Sequence, residues 1–224
     1  MPLPVTYRRS AEGGLINYSF ADVSTGLGVV TFYSFGTTSS GATVQRANST
    51  ALSAITSVPT YTTQECVAGA GTKFAGAINF DNPPNKYQTR VGGEAIVEIS
   101  HAVATSAGVD AEGHLVIKVQ RVSGTDASVL DIGEITTQTI SAGASATVWA
   151  TRLLKIALTD TNIRPDDYLR LNINIWLKTS TEAAESCRQH IPHNPANADI
   201  AGISLTAATN HSYLKWHVPF RVEI

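Results

Sequence analysis

The chain has 224 residues, a formal net charge of −2 and a pI of about 6.3, which predicts no surface for nucleic acid or for an anionic membrane. Charged residues make up 15% of it and hydrophobic residues 43%, against a charged share of roughly 25% in ordinary soluble domains. This composition favours a surface that another protein covers, because few charges would have to be desolvated on contact. A β-rich domain of the secreted type has a similar composition.

The N-terminal residues MPLPVTYRR contain no apolar core of a signal peptide, and no stretch approaches the ~18 apolar residues of a membrane span. We therefore expect synthesis in the cytoplasm and no membrane partner. Cys66 and Cys187 are too few for a disulfide framework or a four-thiolate zinc site. One bridge between them stays open, although cytoplasmic synthesis favours two reduced thiols.

Residues 1–71 are predicted to form an extended N-terminal arm with peripheral strands. Short strand patterns occur at residues 16–20 and 29–35, whereas residues 37–63 are dominated by Ser, Thr, Ala and Gly. Such a tract cannot form a core of its own. We expect it to become ordered against the chain's own core or a neighbouring subunit; a flexible linker is the alternative.

Residues 72–224 are predicted to form the main domain. Apolar and polar residues alternate with period two in its clearest segments, residues 168–178 and 214–224, which predicts strands with one buried face. Pro219 cannot donate to a ladder, so its strand should lie at an edge or carry a bulge. Residues 182–189 are a short helix candidate. Further strands are expected at residues 73–80, 94–103, 114–122, 129–136 and 146–158.

Many short strands separated by turns predict an all-β fold, an antiparallel β-sandwich of the jelly-roll or Greek-key type. None of the common nucleophile, phosphate-binding, metalloprotease or dinucleotide motifs occurs. Asp166 and Asp167 would point to opposite faces of a strand, and with Pro165 they are typical of a turn. We therefore predict that the chain is not an enzyme, has no catalytic residues and needs no cofactor.

Cys187, His190 and His193 could be assembled into a zinc site. Pro192 separates the two imidazoles, however, and no clear fourth ligand is present. We expect no metal, and we interpret these histidines as surface side chains on a long loop between strands.

Trp149, Tyr168 and Trp176 fall on the polar faces of their strands, Trp149 if Val148 points inwards. Exposed aromatic rings on a sheet face can anchor a protein interface or stack on sugar rings. Alternatively, the N-terminal segment covers them, because its own aromatic side chains also need burial; these are Tyr18, Phe20, Phe32, Tyr33 and Phe35.

Residues 16–33, INYSFADVSTGLGVVTFY, resemble the opening of structural proteins of tailed phages and environmental viruses, in which an aromatic strand, an Asp and a small-Gly-x-Gly turn precede Val-Thr-Phe-Tyr. Residues 163–171, IRPDDYLRL, are similar to a strand entry common in jelly-roll virion and TNF-like domains. The resemblance implies a capsid decoration (cement) protein, typically a homotrimer on the major capsid shell, and it brings no catalytic residues.

We therefore expect a viral structural protein at the capsid surface, made in the host cytoplasm, which binds the major capsid protein and copies of itself and stabilises the shell. The alternative is a carbohydrate-binding or receptor-binding β-sandwich module. The residues expected at the interface are Tyr7, Arg8, Arg9, Tyr18, Phe32, Tyr33, Trp149, Tyr168 and Trp176.

Overall fold

A computed structural model describes residues 27–39, 42–49, 61–65, 71–106, 108–179, 187–192 and 214–221. All regular structure in these ranges is strand, which confirms the all-β prediction. None of the described residues forms a helix that could span a bilayer. The strands are β1 (Leu27–Ser39), β2 (Ala42–Asn48), β3 (Tyr61–Glu65), β4 (Gly71–Asp81), β5 (Thr89–Thr105), β6 (Ala111–Val122), β7 (Val129–Thr136), β8 (Ile140–Ala142), β9 (Thr147–Ile163), β10 (Tyr168–Thr179), β11 (Cys187–Pro192) and β12 (Leu214–Arg221).

The strands form one sheet in the order β3-β11-β5-β12-β1-β2-β4-β10-β6-β7, with β9 also paired to β5 and β8 to β6. The pairings are antiparallel except for a single parallel bridge between β2 and β4. The sheet folds over, so that strands around β5 face strands around β10. A Cβ atom added to Gly113 of β6 would lie 2.7 Å from Val103 of β5 and 3.1 Å from Leu177 of β10. The architecture is the predicted β-sandwich.

The core lies between these two layers and is filled by the alternating side chains of the long strands. The apolar face of β10 is buried along its whole length, as its period-two pattern predicts. Each fully buried Leu or Ile of this kind stabilises the fold by roughly 1.5–3 kcal/mol. Trp216 of β12 is 0% exposed and packs on Phe32 of β1, with the ring centroids 4.6 Å apart.

Strand β7 approaches β9 from the facing layer at Gly133. A Cβ atom at this position would lie 2.7 Å from the Leu158 side chain and 2.8 Å from the carbonyl oxygen of Ala157. Only a residue without a side chain permits this approach, so Gly133 brings the two layers together on this side of the sandwich.

The turn between β9 and β10 is the one predicted from Pro165 and the two aspartates. Asp167 Oδ2 accepts a hydrogen bond from the Arg164 N–H at 3.0 Å, and Asp167 N–H donates to the Arg164 carbonyl at 3.2 Å. Asp167 Oδ1 also accepts a longer bond of 3.3 Å from the Gly124 N–H, which ties this turn to the one between β6 and β7. The carboxylate therefore has a structural role.

Pro219 lies beside a register shift in the β12–β5 pairing, so the predicted bulge is confirmed. The strand is not at an edge, because β12 lies between β5 and β1. Pro219 is opposite Val29 of β1, and β5 resumes its pairing at Phe220.

Three expectations for local structure need correction. Residues 187–189, predicted at the end of a helix, belong to β11. Strand β1, expected at the periphery, lies between β12 and β2 in the sheet. Strands β2, β3 and β8 were not predicted. Within the arm, residues 1–26, 40–41, 50–60 and 66–70 lie outside the described residues, and with them the strand expected at residues 16–20. A domain boundary at residue 71 stays a prediction.

Candidate functional site

The outward-facing side chains of β10 and of its neighbours β4 and β6 form the surface that we call the β10 face. Tyr168, Arg170, Asn172, Asn174 and Trp176 alternate along β10 with the buried apolar residues, so period two places all five on this side. The face divides into an aromatic end, around Trp176, and a polar end, around Arg170.

At the aromatic end, Trp176 lies between Phe74 of β4 and His114 of β6, which are its direct partners in the sheet register. The Trp176 and His114 rings are parallel within 1°, with centroids 6.3 Å apart, and Phe74 meets Trp176 edge-on at 5.5 Å. Phe74 is 46% exposed. We call these three residues the aromatic row.

A β-bulge positions the row. Ile175 is opposite Gly76, but Trp176 is opposite Phe74, so Ala75 is an extra residue on β4. Bulges re-aim the side chains next to them and are over-represented near functional sites. This one places a large ring, instead of the Ala75 methyl group, beside Trp176.

At the polar end, Arg170 donates to both carboxylate oxygens of Asp81, at 2.6 and 2.9 Å. These hydrogen bonds raise the pKa of Arg170. Its guanidinium also donates to Tyr168 Oη at 3.3 Å and lies 5.8 Å from the centre of that ring. Next along the strand, Asn172 Nδ2 donates to Asn79 Oδ1 at 2.7 Å.

The charges on the β6–β7 side of this face are also paired. Lys118 contacts Asp131 at 2.6 Å and Glu134 at 3.1 Å, and the hydrogen bonds to these carboxylates raise the pKa of Lys118. Gln120 donates to the second oxygen of Asp131 at 2.6 Å. Beyond the aromatic row, Lys178 pairs with Glu112 at 3.1 Å. Every cation named here contacts at least one carboxylate, which leaves the aromatic row as the part suited to a partner's apolar surface.

The structure brings together only part of the predicted interface set. Tyr168 and Trp176 share the β10 face, but Trp149 lies on β9, in the other layer. Phe32 is 5% exposed and packs in the core against Trp216, so it is not presented at the surface. Tyr33 is half-buried on β1. Tyr7, Arg8, Arg9 and Tyr18 lie outside the described residues.

Phe74 and His114 were missed by the sequence analysis, although both lie at the ends of predicted strands. Their strand positions were readable from the alternating pattern, but the bulge at Ala75 was not. Without that bulge in view, nothing in the sequence pairs Phe74 with Trp176.

The zinc candidates do not form a site among the described residues. Cys187 and His190 are both buried in β11, and their spacing of three residues places them on opposite faces of the strand. His190 is therefore not a surface loop histidine. His193 lies outside the described residues, and no group of three potential metal ligands occurs in the described part of the chain.

A buried polar pair lies inside the sandwich near β11. His101 Nδ1 is 2.9 Å from Gln189 Nε2, whereas His101 Nε2 and Gln189 Oε1 have no hydrogen-bond partner. Burial, and to a smaller extent the nearby positive charge of Arg152, lowers the pKa of His101 to about 4. His101 is therefore a neutral imidazole at neutral pH.

No protein-family model matches the chain, and no curated protein matches it. Among solved structures, an aminopeptidase from a marine sediment archaeon, Thaumarchaeota archaeon, aligns with 86% of this chain at 6% identity and a TM-score of 0.50. An α-amino acid ester hydrolase aligns with 87% at 8% identity and a TM-score of 0.43. The structure of infectious bursal disease virus, Gx strain, contains a chain that aligns with 94% of this chain at 12% identity and a TM-score of 0.24. The alignment covers 54% of the viral chain.

The aminopeptidase match contradicts the prediction that the chain is not an enzyme, because this fold forms part of a hydrolase. At 6% identity the match shows the fold alone and transfers no catalytic residue. This chain spans 37% of the aminopeptidase and 34% of the ester hydrolase. The ester hydrolase and virus likenesses, with TM-scores under 0.5, carry no argument about function.

Proposed function

We propose that this chain is a binding protein that attaches to another protein through its β10 face, and that the partner is the major capsid shell of a virus. The aromatic row carries the proposal. It places a half-exposed Phe and a Trp side by side at the end of a face whose named charges are already paired, and large aromatic side chains are the usual anchors of protein interfaces.

The polar end of the face supports the same role in a different way. Asp81 holds Arg170 in place and Asn79 holds Asn172, so ordering these side chains on contact costs little conformational entropy. A partner would meet a pre-organised surface with an apolar anchor at one end. Membership of a virion and assembly into a homotrimer belong to this proposal and derive from the sequence resemblance.

The experiment compares Trp176→Ala with the matched control Trp149→Ala, which removes the same ring from the other layer. Binding to capsid shells that lack the protein is measured by co-sedimentation. Truncating an interface anchor costs about 2 kcal/mol, or about 30-fold in Kd. We expect that loss for Trp176→Ala and near wild-type binding for Trp149→Ala.

Circular dichroism of both variants checks that the sandwich remains folded. Equal binding by folded Trp176→Ala and wild type would rule out the aromatic row as the anchor. Sedimentation equilibrium of the wild type tests the trimer, and a monomer at all concentrations would remove that part of the proposal.

A second candidate function is favoured by the fold match alone: the chain serves as the β-sandwich part of a peptide hydrolase. The observation behind it is the alignment of 86% of this chain with part of an aminopeptidase. The purified protein is incubated with aminoacyl-amide substrates and the released amine is measured. Release above the buffer rate, co-eluting with the protein through two chromatographic steps, supports this candidate; release equal to buffer removes it for the isolated chain.

A further inference from the structure

A groove of about 490 Å³ lies at one end of the sandwich, between the loop of residues 82–88, the first two strands and the end of β12. Phe32, Phe220 and Val30 give it an apolar floor. Lys86 and Arg221 stand among its polar lining residues. An apolar floor with a few polar groups, at this volume, is the usual composition of a small-molecule site.

The loop beside the groove is held rigidly. Asn82 exchanges two hydrogen bonds with the backbone of Leu169, its own N–H donating at 3.0 Å and its side-chain oxygen accepting at 2.7 Å. Asn85 donates to the Asp167 carbonyl from both its backbone N–H and its side-chain amide, each at 2.9 Å. These bonds fix the part of the loop that leads into residues 86–88.

Tyr87 projects from this fixed loop with 80% of its surface exposed, the largest exposure among the large hydrophobic side chains of the described residues. Tyr87 lines the groove together with Asn48 and Gln88, both of which carry side-chain amides. An exposed ring next to amide groups is the combination that recognises a sugar, since the ring stacks on the C–H face and the amides bond to hydroxyl groups.

The charged side chains among the described residues of the groove lining are Lys86 and Arg221, and none of these lining residues is a carboxylate. Among the described residues, Arg221 pairs with Asp160 at 3.5 Å, and the same carboxylate pairs with Arg90 at 3.0 Å. Two cations therefore divide the Asp160 carboxylate between them, and a negatively charged ligand group would be attracted to the described part of the lining.

We infer that this groove binds a carboxylate-bearing sugar ring, of the sialic-acid or hexuronic-acid class. Tyr87 stacks on the ring, Asn48 and Gln88 bond to its hydroxyl groups, and Lys86 and Arg221 hold its carboxylate. The groove does not include the aromatic row, so this inference is independent of the proposed function.

The probes are N-acetylneuraminic acid and glucuronic acid, with glucose as the neutral comparison, titrated into the full chain by isothermal calorimetry and by ligand-observed NMR. Three variants are compared with wild type. Lys86→Gln removes one cation, Tyr87→Ala removes the exposed ring, and Lys155→Gln makes the same charge change at a distant exposed site on β9.

We expect one of the acids to bind at least tenfold more tightly than glucose, with an affinity that falls as salt is raised. Lys86→Gln should weaken that acid at least fivefold, Tyr87→Ala should abolish binding, and Lys155→Gln should match wild type. Equal binding of acid and glucose, no binding of either acid at millimolar concentration, or equal losses in Lys86→Gln and Lys155→Gln would each overturn the inference. A glycan array then distinguishes a free sugar from the terminal residue of a glycan.

Discussion

One inserted residue, Ala75, decides what Trp176 touches. If the β4–β10 pairing continued regularly past Ile175, the neighbour of Trp176 would be the methyl group of Ala75, and Phe74 would fall on the other face of the strand. The bulge moves Phe74 onto the β10 face. The candidate site is therefore a property of chain register as much as of side-chain type.

Acid sensitivity follows from His101. Its pKa is about 4 in the folded chain and about 6.5 when unfolded, so the unfolded state binds the proton more tightly. The contribution of His101 to the free energy of unfolding is complete above pH 6.5. It is lost as pH falls from 6.5 to 4, and the loss is at most about 3 kcal/mol. His190, whose pKa is also lowered to about 4 by burial and by Arg188, acts in the same direction.

Urea unfolding at pH 7.0, 5.5 and 4.5 measures this loss. His101→Leu should be less stable at pH 7.0, because Gln189 loses its partner. Its stability should nevertheless fall less steeply with acid than that of the wild type. Identical slopes for the two proteins would show that His101 is not the group being protonated.

Gly133 is predicted to tolerate no side chain. In Gly133→Ala the new methyl group meets both the Leu158 side chain and a backbone oxygen of β9, so the layers must separate locally. Overpacking of this kind costs about 1–3 kcal/mol of unfolding free energy. Gly143→Ala is the matched control, since its nearest atom would be 3.8 Å away. Equal stability of the two variants in urea would contradict the close approach.

At the scale of elements, β10 is the strand on which both the core and the candidate site depend. It pairs over most of its length with β4 on one side and β6 on the other, so both rows of its backbone groups are satisfied. Its inward residues belong to the core while its outward residues form the β10 face. A change at the entry to this strand therefore affects stability and surface together.

Asp167 controls that entry. Asp167→Ala removes the acceptors for the Arg164 and Gly124 N–H groups and the nearby partner of Arg121, and we expect a loss of about 1–3 kcal/mol in unfolding free energy. Asp166→Asn should be nearly neutral, because Asp166 is exposed and its φ of 69° suits Asn. Thermal unfolding of both variants checks the contrast; equal melting temperatures would count against it.

At the scale of the whole molecule, the sequence predicted what depends on local pattern. The alternation at β10 and β12 placed Leu169 inward and Trp176 outward, because period two needs no knowledge of distant residues. Strand β11 was not predicted because Gln189 and His190, two adjacent polar residues, are both buried and interrupt the alternation of apolar and polar residues. Strand β2 was not predicted because it has few apolar side chains. Its strand conformation depends on its backbone pairing with β1.

The contacts that could not be predicted are those between distant parts of the chain. The pairing of β1 with β12 is the clearest example, because each strand alone has an ordinary pattern and nothing local selects the other as its partner. Phe32 was predicted at an interface because its burial depends on Trp216, and nothing in the sequence indicates that these two residues pack together.

The β1–β12 pairing also sets the order of events as the protein is made. Thr31 and His217, whose side chains meet at 2.8 Å, are 186 residues apart. One edge of β1 therefore lacks its native partner until the residues of β12 have left the ribosome. During that interval the same edge can be completed by β12 of a neighbouring nascent chain. Synthesis on crowded ribosomes should thus favour exchanged, interlocked products, whereas refolding at high dilution should favour the closed chain.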